Sequence, residues 1–426
     1  MKVLWVTNLI FPVIAKELKV SHSASGGWLY YFAELLSQKE DISLGIVSVY
    51  SGKEYKVLKK DRITYFLLPI NARMKLIGSG KIQLYLRRLR QAFHPDIIHI
   101  HGAELPLGLY FLDYFPNTKV VVNIQTLSCR LEKEMDGGLK SRDFLRYCSP
   151  RECLKLKSHS MRKLYARLRT VNEHNYFQRI RYVIGSTLWD ETFIRYNYPH
   201  IKYFRCQYLF RESFYKKEKW SYDQAEPNSI ITGQAATPSK GMHVLLKAVY
   251  YVKKEISDVR LYIPGPDMLS KPFLNNYSYA KYLRSLIARY KLDENVIFTG
   301  SLSEEEMADR MKKSRIVVVP SAVELGSSVL CEAMLLGVPV IAAFRGGMTE
   351  KFQHGISGYY YDYPEVFLLA EYMGRLLTDK KLASDFSVNE IITAQHEHGY
   401  EKCCREFYET YRLIYMDGRE VSDGTM

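Results

Sequence analysis

Short runs of β-branched and other apolar residues alternate along the chain with longer stretches whose apolar residues recur at helical spacing. In the first half the strand-like runs are residues 3–6, 44–49, 63–68, 96–101, 120–124 and 182–184, and a helix is expected over about 27–38. From residue 229 the alternation begins again, with strands expected at 230–231, 260–263, 296–298, 315–319 and 338–343 and helices between them. Near-continuous apolar runs suit strands covered on both faces, and strands alternating with helices predict a doubly wound, mostly parallel α/β sheet. Two such rounds predict two α/β domains. The polar and aromatic stretch 205–228, which contains K-K-E-K-W-S-Y-D-Q-A-E-P-N, breaks the alternation and is the expected boundary. A last helix is expected over about 401–415.

With 426 residues and a hydrophobic fraction of 47% the chain can bury two ordinary cores. Its apolar runs are strand-sized, well short of the ~20 residues that cross a bilayer, so no transmembrane helix is expected. The opening M-K-V-L-W-V-T-N-L-I-F-P has the basic start of a signal peptide, but Thr7, Asn8 and Pro12 interrupt the apolar run and no A-x-A site follows. It reads as a first buried strand entering a loop. Seven cysteines without a C-x-x-C pair fit neither a disulfide framework nor a zinc site, and a reducing cytoplasm is the expected compartment.

The net charge of +14 calls for an anionic partner. Basic residues gather in the first half, at Arg87, Arg88 and Arg90 and again at Lys155, Lys157, Arg162, Lys163, Arg167, Arg169, Arg179 and Arg181. Leu156, Met161, Leu164, Tyr165 and Leu168 lie among the second group at roughly helical spacing. Two readings stay open: a helix resting on an acidic membrane surface, or a core-facing helix with a solvated basic back. No nucleic-acid-binding signature accompanies the charge, so RNA or DNA is not an expected partner.

The densest chemistry lies in 316–347, I-V-V-V-P-S-A-V-E-L-G-S-S-V-L-C-E-A-M-L-L-G-V-P-V-I-A-A-F-R-G-G. Pro320 ends one buried strand, a short helix follows, and a second buried strand runs over 338–343. Ser327 or Ser328 can cap the helix start and Gly337 can close its end. The free N–H groups near Ser328 and Val329, with the positive end of the helix dipole, then form an anion site at the strand's carboxyl edge that suits a diphosphate. Glu324 is expected on the loop at its mouth and Glu332 about one turn into the helix, each accepting from hydroxyls. Acceptors on both sides of a phosphate suit a nucleotide sugar. A capping Glu and a solvated helix Glu in an ordinary βαβ unit is the plainer alternative.

The block P-S-x-x-E-x7-E-A-M-x-x-G-x-P-V-I, followed by Gly346, Gly347 and Glu350 and then by His354, Gly355 and Gly358, resembles the group 1 or family 4 retaining GT-B glycosyltransferases. The resemblance runs through most of the second half and more weakly into the first. It implies the GT-B fold: two Rossmann-like domains facing across a cleft, with the final helix crossing back to the first. The implied division is an acceptor-binding domain of residues 1–210 plus about 405–426, and a donor-binding domain of 211–404. It further implies a nucleoside-diphosphate-sugar donor, a saccharide or lipid-linked saccharide acceptor and no metal cofactor. Transfer would serve a bacterial surface polysaccharide or glycolipid made at the inner membrane face.

By the same resemblance, Lys240 in the loop Q-A-A-T-P-S-K-G binds the diphosphate, Glu324 the transferred sugar and Glu332 the ribose, while the leaving diphosphate helps to deprotonate the acceptor. The family's loop carries an Arg four residues before Lys-Gly, where this chain has Ala235 beside Gln234; Arg345 is a possible substitute. Gly26 and Gly27, after Ser25, match the family's glycine loop and would let a phosphate or acceptor approach. His101 ends the strand D-I-I-H-I-H-G at the expected cleft edge, with Glu104 just beyond, and alternation is read as turning His99 to the opposite side. Gln125 stands where the family commonly has a His, and a glutamine is no general base, so His101 and Glu104 are the substitutes. A nucleotide-sugar epimerase of the same fold and a non-catalytic sugar-nucleotide-binding protein are the rival readings. Neither half has G-x-G-x-x-G after its first strand, which weakens a dinucleotide-binding reading.

Overall fold

The structure, a computed structural model, describes residues 1–20, 26–70, 80–148, 152, 158–233, 236–265, 267 and 277–418. It divides into two compact α/β units, one formed by Met1–Ser128, Leu168–Leu209 and His398–Met426 and the other by Cys129–Arg167 and Phe210–Glu397. Among the described residues no helix is long and apolar enough to cross a membrane.

The first unit holds an eight-stranded sheet of β1 (Lys2–Val6), β2 (Ser43–Tyr50), β3 (Lys56–Lys60), β4 (Ile63–Pro69), β5 (Ile97–His101), β6 (Lys119–Asn123), β7 (Tyr182–Gly185) and β8 (Lys202–Arg205). Their order is β3-β4-β2-β1-β5-β6-β7-β8. All pairs are parallel except β3 with β4. β5 is buried throughout and β1 from Val3 onward, as their apolar runs demand.

In the second unit β9 (Ser229–Thr232), β10 (Arg260–Pro264), β11 (Val296–Gly300), β12 (Ile316–Val319), β13 (Val340–Ala343) and β14 (Tyr359–Tyr361) form a wholly parallel sheet. The order is β11-β10-β9-β12-β13-β14. β9 and β12 are neighbours, so the loops leaving their carboxyl ends emerge side by side.

The helix Tyr400–Met416 belongs to the first unit. Phe407 packs on Phe32 with ring centroids 4.6 Å apart. Trp5 Nε1 donates to the Tyr411 hydroxyl at 2.9 Å, and that hydroxyl shares a second hydrogen bond with His99 Nδ1 at 2.5 Å. At the helix end Lys119 Nζ donates to the carbonyl oxygens of Ile414 and Tyr415, each at 2.8 Å, and of Asp417 at 2.6 Å. A cation there satisfies carbonyls that lack helical partners.

Two expectations are revised. His99 does not face away from His101: the strand's period is two, so residues two apart point the same way, and the rings lie 4.0 Å apart. The segment Cys129–Arg167, counted from the sequence with the first domain, belongs to the second unit. There the Gly137 carbonyl accepts from His243 Nε2 at 3.0 Å and from the Tyr363 hydroxyl at 2.7 Å, and Tyr147 donates to Ser285 Oγ at 2.9 Å. Such contacts use a carbonyl, a histidine ring and hydroxyls, which no apolar pattern announces.

Burial pushes His99 down to about 3, and His101, beside it, is also pushed well below its ordinary value. Both rings are neutral in the folded state and take up protons only on unfolding. Their contribution to stability is therefore present above the unfolded value of about 6.5 and lost as pH falls below it, by about 2 kcal/mol for each ring between pH 6.5 and 5. Urea unfolding at these two pH values should show that loss, reduced by about half in a His99→Leu variant. An identical pH slope in parent and variant would mean that His99 does not carry it.

Candidate functional site

Three loops at the carboxyl edge of the second sheet converge on one carboxylate. After β9 the chain reaches the turn Pro238–Lys240 and then Gly241, which opens the helix Met242–Glu255. Gly241 has φ +70, and a Cβ there would lie 1.7 Å from the Pro320 carbonyl oxygen, so only glycine lets this loop pass under the one after β12. Ala322 N donates to the Ser239 carbonyl at 2.8 Å and completes the seam. The loop after β13 closes from the other side: Gly347 N donates to the Glu324 carbonyl at 2.9 Å, and a Cβ at Gly346 would sit 2.2 Å from that oxygen.

With its backbone fixed in this way, the Glu324 side chain forms an ion pair with Lys240 Nζ and accepts from Ser321 Oγ at 2.9 Å. Lys240 keeps 42% of its side chain exposed and Glu324 only 16%. The pair thus stands at the surface end of a backbone-locked seam, with the cation outermost.

Beside it the helix Ser328–Leu336 begins. Ser327, rather than Ser328, is the cap: its side chain accepts from Leu330 N, which leaves Ser328 exposed. Gly337 ends the helix in the left-handed region, as expected. The first N–H groups, those of Ser328 and Val329, lie where a helix has no internal acceptors. The Val329 side chain reaches the loop after β9, 3.1 Å from where a Cβ of Gly233 would be. Lys240 and Glu324 are therefore brought together, and the helix start at Val329 lies against the loop that leads to Lys240. Gln234 and Ala235, the positions of the departure from the family's loop, lie outside the described residues, as does Ser25.

Glu332 differs from its expected setting. It is 2% exposed, and its two oxygens accept from Arg211 Nε at 2.7 Å and from the second guanidinium nitrogen at 2.6 Å. Burial pushes its carboxyl up and Arg211 pulls it down. A fork-to-fork pair of this geometry is ionised, because the guanidinium does not give up its proton. The carboxylate at this position is thus held as a pair and not as an open acceptor. Arg211 lies in the stretch 205–228, the expected domain boundary, where no motif points to it.

Two further cations belong to this region. Arg345 donates to the Tyr363 carbonyl at 2.6 Å, which commits its guanidinium to β14's flank. Lys351 is buried, and its Cε would lie 3.2 Å from a Cβ at Gly326, in the loop just before the helix cap. The sequence reading passed over Lys351 because it follows the Gly-Gly-x-x-Glu motif without being part of it.

The remaining candidates, Gly26, Gly27, His101, Glu104 and Gln125, lie in the first unit. Gly26 caps and Gly27 opens the helix Gly27–Ser37. His101 is 3% exposed, wrapped by Trp5, Trp28 and His99, and neither ring nitrogen has a hydrogen-bond partner. It is a neutral core ring in this state and not an open base. Burial pushes the Glu104 carboxyl up, opposed by Arg169. Gln125 is exposed on the loop after β6. Trp28 and Tyr208, with rings 5.2 Å apart, frame His101 and its neighbour Asn123, a cluster that sequence reading missed because aromatic residues after a glycine pair read as helix core.

The Arg211–Glu332 pair generates a test of folding. An Arg211→Met substitution leaves a buried carboxylate without its partner and should destabilise the second unit by about 3–5 kcal/mol. The double variant Arg211→Met/Glu332→Leu should regain most of that loss. Urea midpoints measure both, and a single variant as stable as the parent would contradict a buried ionised pair.

Residues 215–391 match the family model described as glycosyl transferases group 1. The putative glycosyltransferase YtcC of Bacillus subtilis is 27% identical over 181 residues, which is 42% of this chain and 42% of that protein. The chain spans less than half the length of the curated relatives it matches. Over the whole fold, the sucrose-phosphate synthase of Thermosynechococcus elongatus superposes with a TM-score of 0.73 at 15% identity, covering 98% of this chain and 100% of that one. Anabaena HepE in complex with UDP-glucose gives 0.63 at 17% identity, covering 97% and 100%. The chain has the GT-B glycosyltransferase fold over nearly its whole length, and its second unit resembles the glycosyl transferases of group 1.

Proposed function

We propose that the chain is a retaining glycosyltransferase that moves a sugar from a nucleoside-diphosphate sugar to a hydroxyl of a saccharide or lipid-linked saccharide. The observation that carries this reading is the Lys240–Glu324 pair, locked by three loops beside the start of the helix Ser328–Leu336. Group 1 similarity over 215–391, and the UDP-glucose bound by the similarly folded HepE, support it.

In the resting pair each charge satisfies the other. A donor diphosphate, carrying more negative charge than one carboxylate, draws Lys240 away and takes the N–H groups of Ser328 and Val329 as well. Glu324, released from Lys240 and still steadied by Ser321, then accepts from hydroxyls of the transferred sugar. As the bond to the anomeric carbon breaks, charge accumulates on the diphosphate, where the lysine and the helix start stabilise it. The diphosphate oxygen accepts the acceptor's proton on the same face. The Arg211–Glu332 pair fixes the helix under the nucleotide. His101, Glu104 and Gln125 in the first unit belong to the acceptor side. The proposed setting is the cytoplasmic face of a bacterial membrane, in polysaccharide or glycolipid synthesis.

Incubation with a panel of labelled sugar nucleotides, with and without membrane lipid extract, tests the reading. Label transferred to a saccharide or lipid supports it. Release of an altered free sugar would indicate an epimerase, and binding without turnover a non-catalytic partner protein.

Two substitutions separate the roles of the pair. Lys240→Ala should weaken donor binding by roughly one to two orders of magnitude, the value of a charge-assisted hydrogen bond of ~1.5–3 kcal/mol. Glu324→Ala should lower transfer strongly yet leave binding of the bare nucleoside diphosphate undiminished, because it frees Lys240. Calorimetry with the bare nucleotide decides: equal weakening in both variants would contradict this division of roles.

A further inference from the structure

The first unit carries a cationic face that the donor site does not use. β3 is an edge strand of its sheet and exposes Lys56, Lys59 and Lys60. The helix Lys81–Ala92 turns Ile82, Leu86 and Leu89 inward and exposes Arg87 and Arg88. The two elements are joined through stacked rings of Tyr55 and Tyr85, with centroids 5.9 Å apart and planes within 7°, and Arg88 lies close enough to influence the Tyr55 hydroxyl. Residues 53–62 and 81–92 together hold nine basic side chains and two acidic ones, Glu54 and Asp61. Among the described residues none of the five named cations forms an ion pair with a side chain, although the same structure pairs many exposed cations elsewhere.

Lysines on an edge strand also discourage strand pairing, which accounts for part of β3. It does not account for the two arginines on the neighbouring helix, nor for the apolar side chains set among the cations. Leu84 is 51% exposed and Val57 42%, on elements whose other large apolar residues are covered or half-covered. Val57 and Lys59 share one face of β3, and Leu84, Arg87 and Arg88 share one side of the helix; exposed apolar side chains, stacked tyrosines and unpaired cations on these two joined elements suit the boundary between headgroups and acyl chains of an anionic bilayer. A soluble polyanion would use the charges but leave Leu84 and Val57 in water.

We propose that β3 and the helix Lys81–Ala92 form a docking face for an anionic phospholipid surface. This inference stands apart from the sugar-transfer reading, because it is read out by binding without turnover.

The full chain is to be sedimented with phosphatidylcholine vesicles and with vesicles of equal parts phosphatidylcholine and phosphatidylglycerol. The parent should bind only the second kind, and binding should weaken at ~1 M salt, where the screening length falls from ~8 Å to ~3 Å. The variant Lys59→Glu/Lys60→Glu/Arg87→Glu/Arg88→Glu should lose at least about tenfold in vesicle affinity, and Leu84→Gln a smaller part. A control reversing four exposed lysines of the second unit, Lys254, Lys291, Lys313 and Lys381, should stay within about twofold of the parent. Circular dichroism checks that each variant is folded. Equal loss in the control would reduce the effect to net charge and overturn the assignment of this face. Equal binding to both vesicles, or complete displacement by inorganic polyphosphate with no effect of Leu84→Gln, would also overturn it.

Discussion

The second unit's site depends on a close passage of backbone over backbone. Gly241 lies beneath the Pro320 carbonyl and Gly346 beneath the Glu324 carbonyl, at distances where a single added carbon would collide with an oxygen. Because β9 and β12 are adjacent and parallel, their exit loops must either splay apart or cross at this distance. Crossing fixes Glu324 without using its side chain, which is then free to pair with Lys240. A flexible loop would have to order itself when a ligand arrives and would bind less tightly for that reason.

The same unit supports the helix start from beneath. Glu332 and Arg211 form a buried fork-to-fork pair, and Arg211 also lies over the ring of Phe214. Replacing such a pair with apolar residues of similar volume is often neutral for stability, so its retention here points to position more than to energy. The pair joins the segment that leaves the first unit to the helix whose N-terminus carries Ser328 and Val329. In the proposed reaction it holds that helix in register while charge develops above it.

What the sequence made legible, and what it hid, follows from where information about burial is written. Buried central strands such as β1, β5, β9 and β12 are readable because both faces are covered and their inner positions are mostly apolar. The strands missed were β3, β8 and β14, all at sheet edges, where lysines, arginines and tyrosines replace the apolar run. The Ser327 cap, Gly337 and the meeting of Lys240 with Glu324 followed from local motifs. The partner of Glu332 did not, since Arg211 is 121 residues away in a stretch with no periodicity. Nor did the placement of Cys129–Arg167, which is attached through the carbonyl of Gly137 and the hydroxyls of Tyr363 and Tyr147. The two histidines of β5 face the same way for a simpler reason: a strand's period is two, so residues two apart share a face.

The central claim is that the Lys240–Glu324 pair is the resting form of a donor site, opened when a diphosphate takes the lysine. A structure determined with a nucleoside-diphosphate sugar bound tests it most directly. The account predicts Lys240 Nζ within hydrogen-bonding distance of a phosphate oxygen, Glu324 on the sugar hydroxyls, and the passages of Gly241 and Gly346 unchanged. A donor bound elsewhere, with the Lys240–Glu324 pair intact, would contradict it.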